Sequence, residues 1–444
     1  MSVVTWTLEI AGEVRSFEAW GASVPVGTFR SMDEDTVEFV ITGDITTDCA
    51  AAYGNSIRIF RIVDSGTPLC WFVGTVTSVT AFGTMQVMQW TVRCANFWFQ
   101  YSRTMFQQTN TCYSEACAKV TNISTTKVVL FQDTRTGWAI TTGEQIQAIV
   151  DYATTLGLPV GLGTRPDFVS ATFEPARDLT LADAIRRCMQ FTPDGVSWVD
   201  YSSGAAVLNF QQRTLLSAVT LNATADPQVI NRVELRRRDD LVPAGVRFNY
   251  IGFVSCQAKV PELCVDDTDG TTNTTGGVVT ASESDQLVAI TQDSAGLPDL
   301  PGGLVGTFDL AQMSGTATET APVGLALDYY TSLVTPQWEG EIAITEQECS
   351  GSVRPGKIVN ISNGHSSWVT MNAMVQQVTE NMDTGESTIS VGIQSHLGQM
   401  DFAALVAMTR RRPIVQDAFA ATRAPGPENT NCYGGKEPKA QQML

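Results

Sequence analysis

Gly54-Asn-Ser-Ile57-Arg-Ile59 and Gly356-Lys-Ile-Val359-Asn-Ile361 carry one pattern, a glycine followed by alternating apolar residues, at two distant places in a chain of 444 residues. The echo continues downstream. Allowing a hairpin loop three residues shorter in the second copy, Gly74-Thr-Val76-Thr-Ser-Val79-Thr80 aligns without gaps on Ala373-Met-Val375-Gln-Gln-Val378-Thr379. The same offset sets Trp90-Thr-Val92 on Ile389-Ser-Val391. Each copy reads as strand, turn, strand, turn, strand, with apolar residues alternating onto one face. Chance is the competing explanation, since Val and Thr are common in any strand. Order, spacing and turns agree as well as composition, so the pattern predicts one β-barrel design used twice.

Working outward, Thr5–Ile10, Val14–Trp20 and Thr36–Ile41 alternate ahead of the first copy, which places a first barrel over residues 1–105. The aromatic run Phe97-Trp98-Phe99 with Tyr101 is expected to close it by core packing. Residues 106–220 read as a crossing segment and an α+β module. Its first helix is expected to have Thr142 as N-cap, Gln145 three residues later, and Ile146, Ile149, Val150 and Ala153 on one face before Gly157. A second has Thr180 as cap, Asp183 in its first turn, and Leu181, Ala184, Ile185 and Cys188 along one side. The hairpin Val196–Tyr201, Ala206–Phe210 offers the apolar surface that both helices need.

A second, discontinuous barrel is predicted over 225–255 and 340–395, with Val229–Leu235 and Val246–Tyr250 as its opening strands. Between its parts, residues 256–339 read as a loop-rich insertion ending in a helix over Pro322–Val334. Residues 396–444 are expected to form a short helix, Gln399–Arg410, and an extended tail. The fold class is therefore mainly β: two related β-barrels, a helix-containing intermediate domain and an insertion. The residues that sign the barrels are Gly54, Ile57, Ile59, Val76 and Val79 in the first copy. In and before the second they are Trp338, Gly340, Pro355, Gly356, Val359, Ile361, Val375 and Val378.

Composition narrows function. With 28 basic against 46 acidic side chains and a net charge of −18, the chain lacks the clustered cations that a nucleic-acid-binding face requires. No apolar run reaches the roughly 20 residues that span a bilayer. Met1-Ser-Val-Val-Thr-Trp6 lacks the charged start and apolar core of a secretion signal, so folding in the cytoplasm is expected.

Chemistry finds little foothold. There are two histidines; His365 sits in the turn Asn363-Gly364-His-Ser-Ser and His396 just before the last predicted helix, both positions where a structural role is the default. Neither a GxSxG elbow, a Walker A loop nor a strand-bound GxGxxG is present. The two carboxylates of a glycosidase could stand anywhere among the acidic residues. Asp266-Asp-Thr-Asp-Gly270 opens like a calcium loop but places Thr271 where the sixth position needs glycine. None of the ten cysteines forms a CxxC; Cys112 and Cys117 are the tightest pair, compatible with a disulfide or with part of an iron-sulfur or zinc site lacking a second half. Buried thiols and no cofactor are expected. No catalytic or metal residue is assigned.

The segment Ala326-Leu-Asp-Tyr-Tyr-Thr-Ser-Leu-Val-Thr-Pro-Gln-Trp338-Glu-Gly340-Glu-Ile-Ala-Ile344, followed by Pro355-Gly356-Lys-Ile-Val-Asn-Ile361, resembles the baseplate hub proteins of tailed bacteriophages. Ile389-Ser-Val-Gly-Ile-Gln-Ser-His-Leu-Gly398 through Arg410-Arg-Arg412 is similar to the closing strand, His-Leu-Gly and short helix of tail-tip hubs. The segments Thr142–Ile146, Leu179–Ile185 and Trp198–Ser202 resemble that family's domain between barrels. The acidic insertion and the cysteines depart from the pattern. The resemblance implies a homotrimer in which each chain contributes two barrels to a ring of six, a symmetry adaptor between a sixfold tail tube and a threefold spike or fibre. It implies a virion protein of the tail tip, assembled in host cytoplasm. Its partners would be a distal tail or tail-tube protein, a tail fibre, spike or central tip protein, and the tape-measure protein. Viral DNA would pass through unbound, helped by an acidic lumen if the charge lies there.

Two alternatives stand beside it. A distal tail ring protein would normally need one barrel copy. A carbohydrate-binding or carbohydrate-active β protein would favour exposed aromatics beside carboxylates; Trp20, Trp71, Trp138, Trp338 and Trp368 mostly fall at alternating strand positions, which predicts burial.

Overall fold

The computed structural model describes residues 3–393 other than 45–47, 65, 84–86, 114–118, 132, 134–139, 159, 166–173, 193–194, 225–227, 240–244, 253–263, 267–271, 275–288, 297–304, 311–330, 333–334 and 347–350. The fold is mostly β. Strands β1 (Val4–Ile10), β2 (Glu13–Ser16), β3 (Val26–Arg30), β4 (Thr36–Asp44), β5 (Ser56–Val63), β6 (Leu69–Gly83) and β7 (Val87–Ala95) hydrogen-bond in the order β3-β4-β7-β6-β5-β1-β2. Their alternation decides which face turns inward: in β5, Ile57 and Ile59 are fully buried while Ser56 and Arg58 face solvent. Leu8, Phe39, Phe72 and Val92 join them in one core, so the sheet wraps round it. Burying each such side chain stabilises the fold by about 1.5–3 kcal/mol. Among the described residues β2 and β3 share no rung, which leaves this barrel open at that seam.

The aromatic run after β7 goes elsewhere than expected. Asn96 accepts the Trp98 N–H through its side chain at 3.1 Å and starts the short helix α1 (Trp98–Tyr101). That turn swings Trp98 and Tyr101 away from the barrel into a second core. This core belongs to an α+β layer built from β8 (Gln108–Tyr113), β9 (Lys119–Thr125), β10 (Lys127–Leu130), α2 (Thr142–Thr155), β11 (Gly161–Leu162), β12 (Glu174–Arg177), α3 (Leu181–Met189), β13 (Gly195–Asp200) and β14 (Val207–Gln212). Helix α2 is capped one residue before the expected position. Thr141 accepts the Glu144 N–H at 3.2 Å, and the Glu144 carboxylate accepts the Thr141 N–H at 2.7 Å. Gln145, read as the reciprocal cap, turns inward and accepts the Phe131 N–H at 2.8 Å. Helix α3 is capped by Thr180 as its sequence indicates.

The second barrel opens with β15 (Ser217–Asn222) and β16 (Gln228–Arg238). The chain then leaves it. Residues predicted to supply its next strand form β17 (Gly245–Gly252), which lies in a separate sheet; β18 (Cys264–Asp266) and β19 (Thr272–Thr274) make a small ladder, and β20 (Ala289–Gly296) and β21 (Val305–Leu310) flank β17. The insertion thus carries ordered strands, and β15, placed by the sequence reading at the end of the module, takes the vacant edge beside the later strands instead. The chain returns as β22 (Gln337–Glu346), β23 (Lys357–Ser362), β24 (Ala373–Asn381) and β25 (Glu386–Val391) around a third core that includes Leu221, Ile342, Val359, Val378 and Ile389. The helix expected over 322–334 lies outside the described residues except for Thr331 and Ser332, and the terminal helix, His396 and the tail lie wholly outside them. No described helix is long and apolar enough to cross a membrane.

Candidate assembly interface

The two barrels match strand by strand. Ile57 stands opposite Gly74 and Ser56 opposite Thr75; Val359 stands opposite Ala373 and Ile358 opposite Met374, the same partners that the sequence echo pairs. Gly54 and Gly356 both have positive φ, 84° and 90°, so both copies enter this strand through a backbone state that favours glycine. The ladder slips by one residue after Val76 in β6 and after Val375 in β24, which are equivalent positions, so the two copies share a β-bulge. The third strand corrects the sequence alignment. Val79 faces Val92 whereas Val378 faces Ile389, so Ile389 and not Val391 corresponds to Val92. The second turn is therefore two residues shorter, and because side chains repeat every second residue the slip leaves every face unchanged. Beyond the third strands, β4 and β22 are equivalent, as are β3 and β16. The sixth strands differ: β1 runs antiparallel to β5, but β15 runs parallel to β23.

The barrels are fused. The first residues of β24 pair with β23; past the bulge the strand crosses to β3, with Gln377 opposite Arg30 through Asn381 opposite Val26. This rung set joins both into one 13-stranded sheet. A clasp covers it. The buried Glu380 receives Arg354 through both carboxylate oxygens, Nε at 2.9 Å and Nη2 at 3.0 Å, and accepts the Trp71 indole N–H at 2.8 Å. The guanidinium lies 3.6 Å above the Phe29 ring and donates to the Trp71 carbonyl at 3.1 Å. Met382, one turn residue further, buries in the core of the first barrel.

A second polar knot ties the first barrel to the α+β layer. Asp35 Oδ2 accepts the Tyr201 hydroxyl at 2.5 Å and the Asn96 amide at 3.1 Å, while Oδ1 accepts the Arg30 N–H at 2.8 Å. Burial pushes the Asp35 carboxyl up to about 6, against the opposing pull of its hydrogen bonds and of Arg354 and Arg30. Burial and the adjacent Asp35 charge hold the Tyr201 hydroxyl well above its usual range. The sign follows. An acid whose folded pKa is raised binds its proton more tightly in the folded state, so this group lowers stability as pH rises from its ordinary value of 3.8 to about 6. Tyr201→Phe removes a donor that favours the ionised form, so its penalty should be larger at pH 7.5 than at pH 4.5. Urea midpoints of both proteins across that range test this; a penalty independent of pH would contradict it.

The residues that sign the barrels are not gathered into a pocket. Ile57, Ile59 and Val76 lie in the first core with Val79 packed against it, and Trp338, Val359, Ile361, Val375 and Val378 lie in the third. Pro355 is buried beside Gly356, where a side chain would collide with Trp198. Gly340 lies within β22, opposite Leu235 of β16. Of the five tryptophans read from the sequence as buried, Trp71 and Trp338 are buried, Trp20 and Trp368 are half-buried, and Trp138 lies outside the described residues. His365 caps a 3-10 turn, its Nδ1 2.7 Å from the Ser367 hydroxyl. Cys117 and Asp267 to Gly270 lie outside the described residues. Among the described residues, no three His, Cys, Asp or Glu side chains stand together as a metal would require. The clasp was missed by sequence reasoning, although one signal was available: Glu380 falls in phase with Val378 and Met382, a charge on an inward face.

No protein-family model and no curated protein matches this chain. A number of solved structures show similarity, three tail proteins among them. The 43 kDa tail protein of prophage MuSo2 from Shewanella oneidensis is 10% identical over 88% of this chain and 98% of its own, with a TM-score of 0.48. A tail protein from Neisseria meningitidis MC58 is 10% identical over 90% and 98%, with a TM-score of 0.49. Prophage tail protein gp18 from Listeria monocytogenes EGD-e is 8% identical over 92% and 100%, with a TM-score of 0.46. All three are tail proteins.

Proposed function

We propose that this chain is a structural hub subunit at the tip of a phage or phage-like tail, without catalytic turnover. In this reading three copies close into a ring of six barrels that meets a sixfold tail tube or distal tail ring on one side. On the other side the ring presents threefold symmetry to a spike, fibre or central tip protein, and the tape measure and viral DNA pass through the middle. The fused seam supports it. One polypeptide already builds two equivalent wall segments side by side in a single sheet, and repeating that step between chains generates a closed wall. The hub-like segments identified in the sequence agree with it. The net charge of −18 per chain suits a lumen that repels phosphate.

Native mass spectrometry and negative-stain imaging of the full chain test it. The expected result is a species of three chains of 47.9 kDa each, with a central opening and six densities round it. A monomer at all concentrations, or a compact assembly without an opening, would overturn it.

A further inference from the structure

We propose, resting on the ring reading above, that the outer edge of β6 pairs antiparallel with the outer edge of β16 from a second copy of this chain, in the register Ser78 opposite Arg238 through Phe82 opposite Glu234. The register comes from the internal seam. Because β24 and β6 share their bulge, Gln377 to Asn381 correspond to Ser78 to Phe82. The equivalence of Val37 with Gly340, each opposite the matching residue of the third strand, then sets β3 on β16: Gly27 pairs with Val37 and Leu235 with Gly340. Transferring the β24–β3 ladder through both correspondences leaves one register.

Among the described residues neither edge carries a second strand there. Among the described residues, β6 beyond Val76 pairs only with β7, and β16 ends the sheet path with β22 as its sole strand partner, the Arg238 side chain near its end being buried. In the internal seam the bulge releases β24 from β23 and hands it to β3; in β6 the same bulge releases the strand from β5, and among the described residues no strand receives it. The apolar surface agrees. Phe82 and Val87, at the end of the β6–β7 hairpin, are each 45% exposed, whereas the corresponding hairpin end of the second barrel plants Met382 in the core of the first. An edge of this length left bare would invite indiscriminate pairing, and a second copy bearing the complementary edge satisfies it specifically.

The ladder's phase also selects the test. The Ser31 N–H donates to the Gln376 carbonyl at 2.8 Å and the Met382 N–H to the Pro25 carbonyl at 3.2 Å, so even-numbered residues of β24 aim their amides at β3. Thr379 and Thr28 between them form a non-hydrogen-bonded pair. Such pairs hold their Cα atoms about 4.5 Å apart, within disulfide reach. The equivalent intermolecular pair is Thr80 with Arg236, both exposed. The N–H of Ala81, equivalent to Glu380, points outward, so proline there removes a seam bond while sparing the ladder to β7.

Full-length Thr80→Cys/Arg236→Cys protein should, on mild oxidation, give covalent multimers up to a closed ring on non-reducing gels, and neither single variant should. Thr80→Cys/Arg232→Cys, four residues out of register, should not. Ala81→Pro should keep its circular dichroism but need about tenfold or more protein to assemble. A threefold ring by native mass in which the Thr80–Arg236 pair fails to cross-link and Ala81→Pro assembles normally would overturn the seam and leave the ring standing. A wild-type monomer would overturn both.

Discussion

Replacing Arg354 by alanine should cost about 3–5 kcal/mol, the penalty for stripping one partner from a buried ion pair. Glu380 is 1% exposed, and without the guanidinium it would keep only the Trp71 indole as a close donor. The same substitution removes the stacking on Phe29 and the bond to the Trp71 carbonyl, so the loss falls on the join between the barrels as well as on the pair. Chemical denaturation followed by tryptophan fluorescence should show a lower midpoint, with Trp71 reporting directly on the site. A paired control separates charge from shape. Arg354→Met with Glu380→Leu removes both charges while keeping volume, and should recover most of the loss. If the double variant is as unstable as Arg354→Ala, the uncompensated carboxylate is not the cause.

Gly340→Ala should be at least as damaging. At φ 142°, a Cβ on Gly340 would stand 1.9 Å from the Glu234 carbonyl oxygen, backbone against backbone, where nothing flexible can yield. The β16–β22 ladder would have to part at its middle, a loss on the order of 4 kcal/mol or more, and with it would go the edge proposed to meet a second copy. Gly54→Ala is the comparison. Its φ of 84° is also unfavourable for alanine, but the space beside it is open, so a cost of about 1 kcal/mol is expected. Thermal melts of the two variants side by side test the difference; equal shifts would refute the close approach.

Much of the architecture was legible in the echo itself. The glycine-led strand, the bulged strand and their mutual register are local patterns, and local patterns survive in sequence because each side chain's face is set by its neighbours. The third-strand offset was misread by two residues because Trp90-Thr-Val92 and Ile389-Ser-Val391 match in polarity at either alignment. Non-local choices were hidden. Nothing in Val246–Tyr250 distinguishes a strand of the second barrel from one in a separate sheet, and nothing in Ser217–Asn222 announces a parallel partner more than a hundred residues later. The capping error at Thr142 arose because Thr141 offers the same hydroxyl one position earlier and Glu144 binds back more strongly than Gln145 can. For the interface, sequence reasoning located the apolar framework but not the clasp, because Arg354, Glu380, Trp71 and Phe29 are scattered along the chain and meet only across the seam.

The unlike sixth strands give the molecule a direction. Val4 lies beside Val63, at the end of β5, whereas Ser217 lies beside Lys357, at the start of β23. The chain therefore enters its two barrels at opposite ends of equivalent strands, and the α+β layer touches both barrels, at Gly356 through Trp198 and at Asp35 through Tyr201. A ring of the kind proposed, built from such subunits, would therefore present two unlike faces.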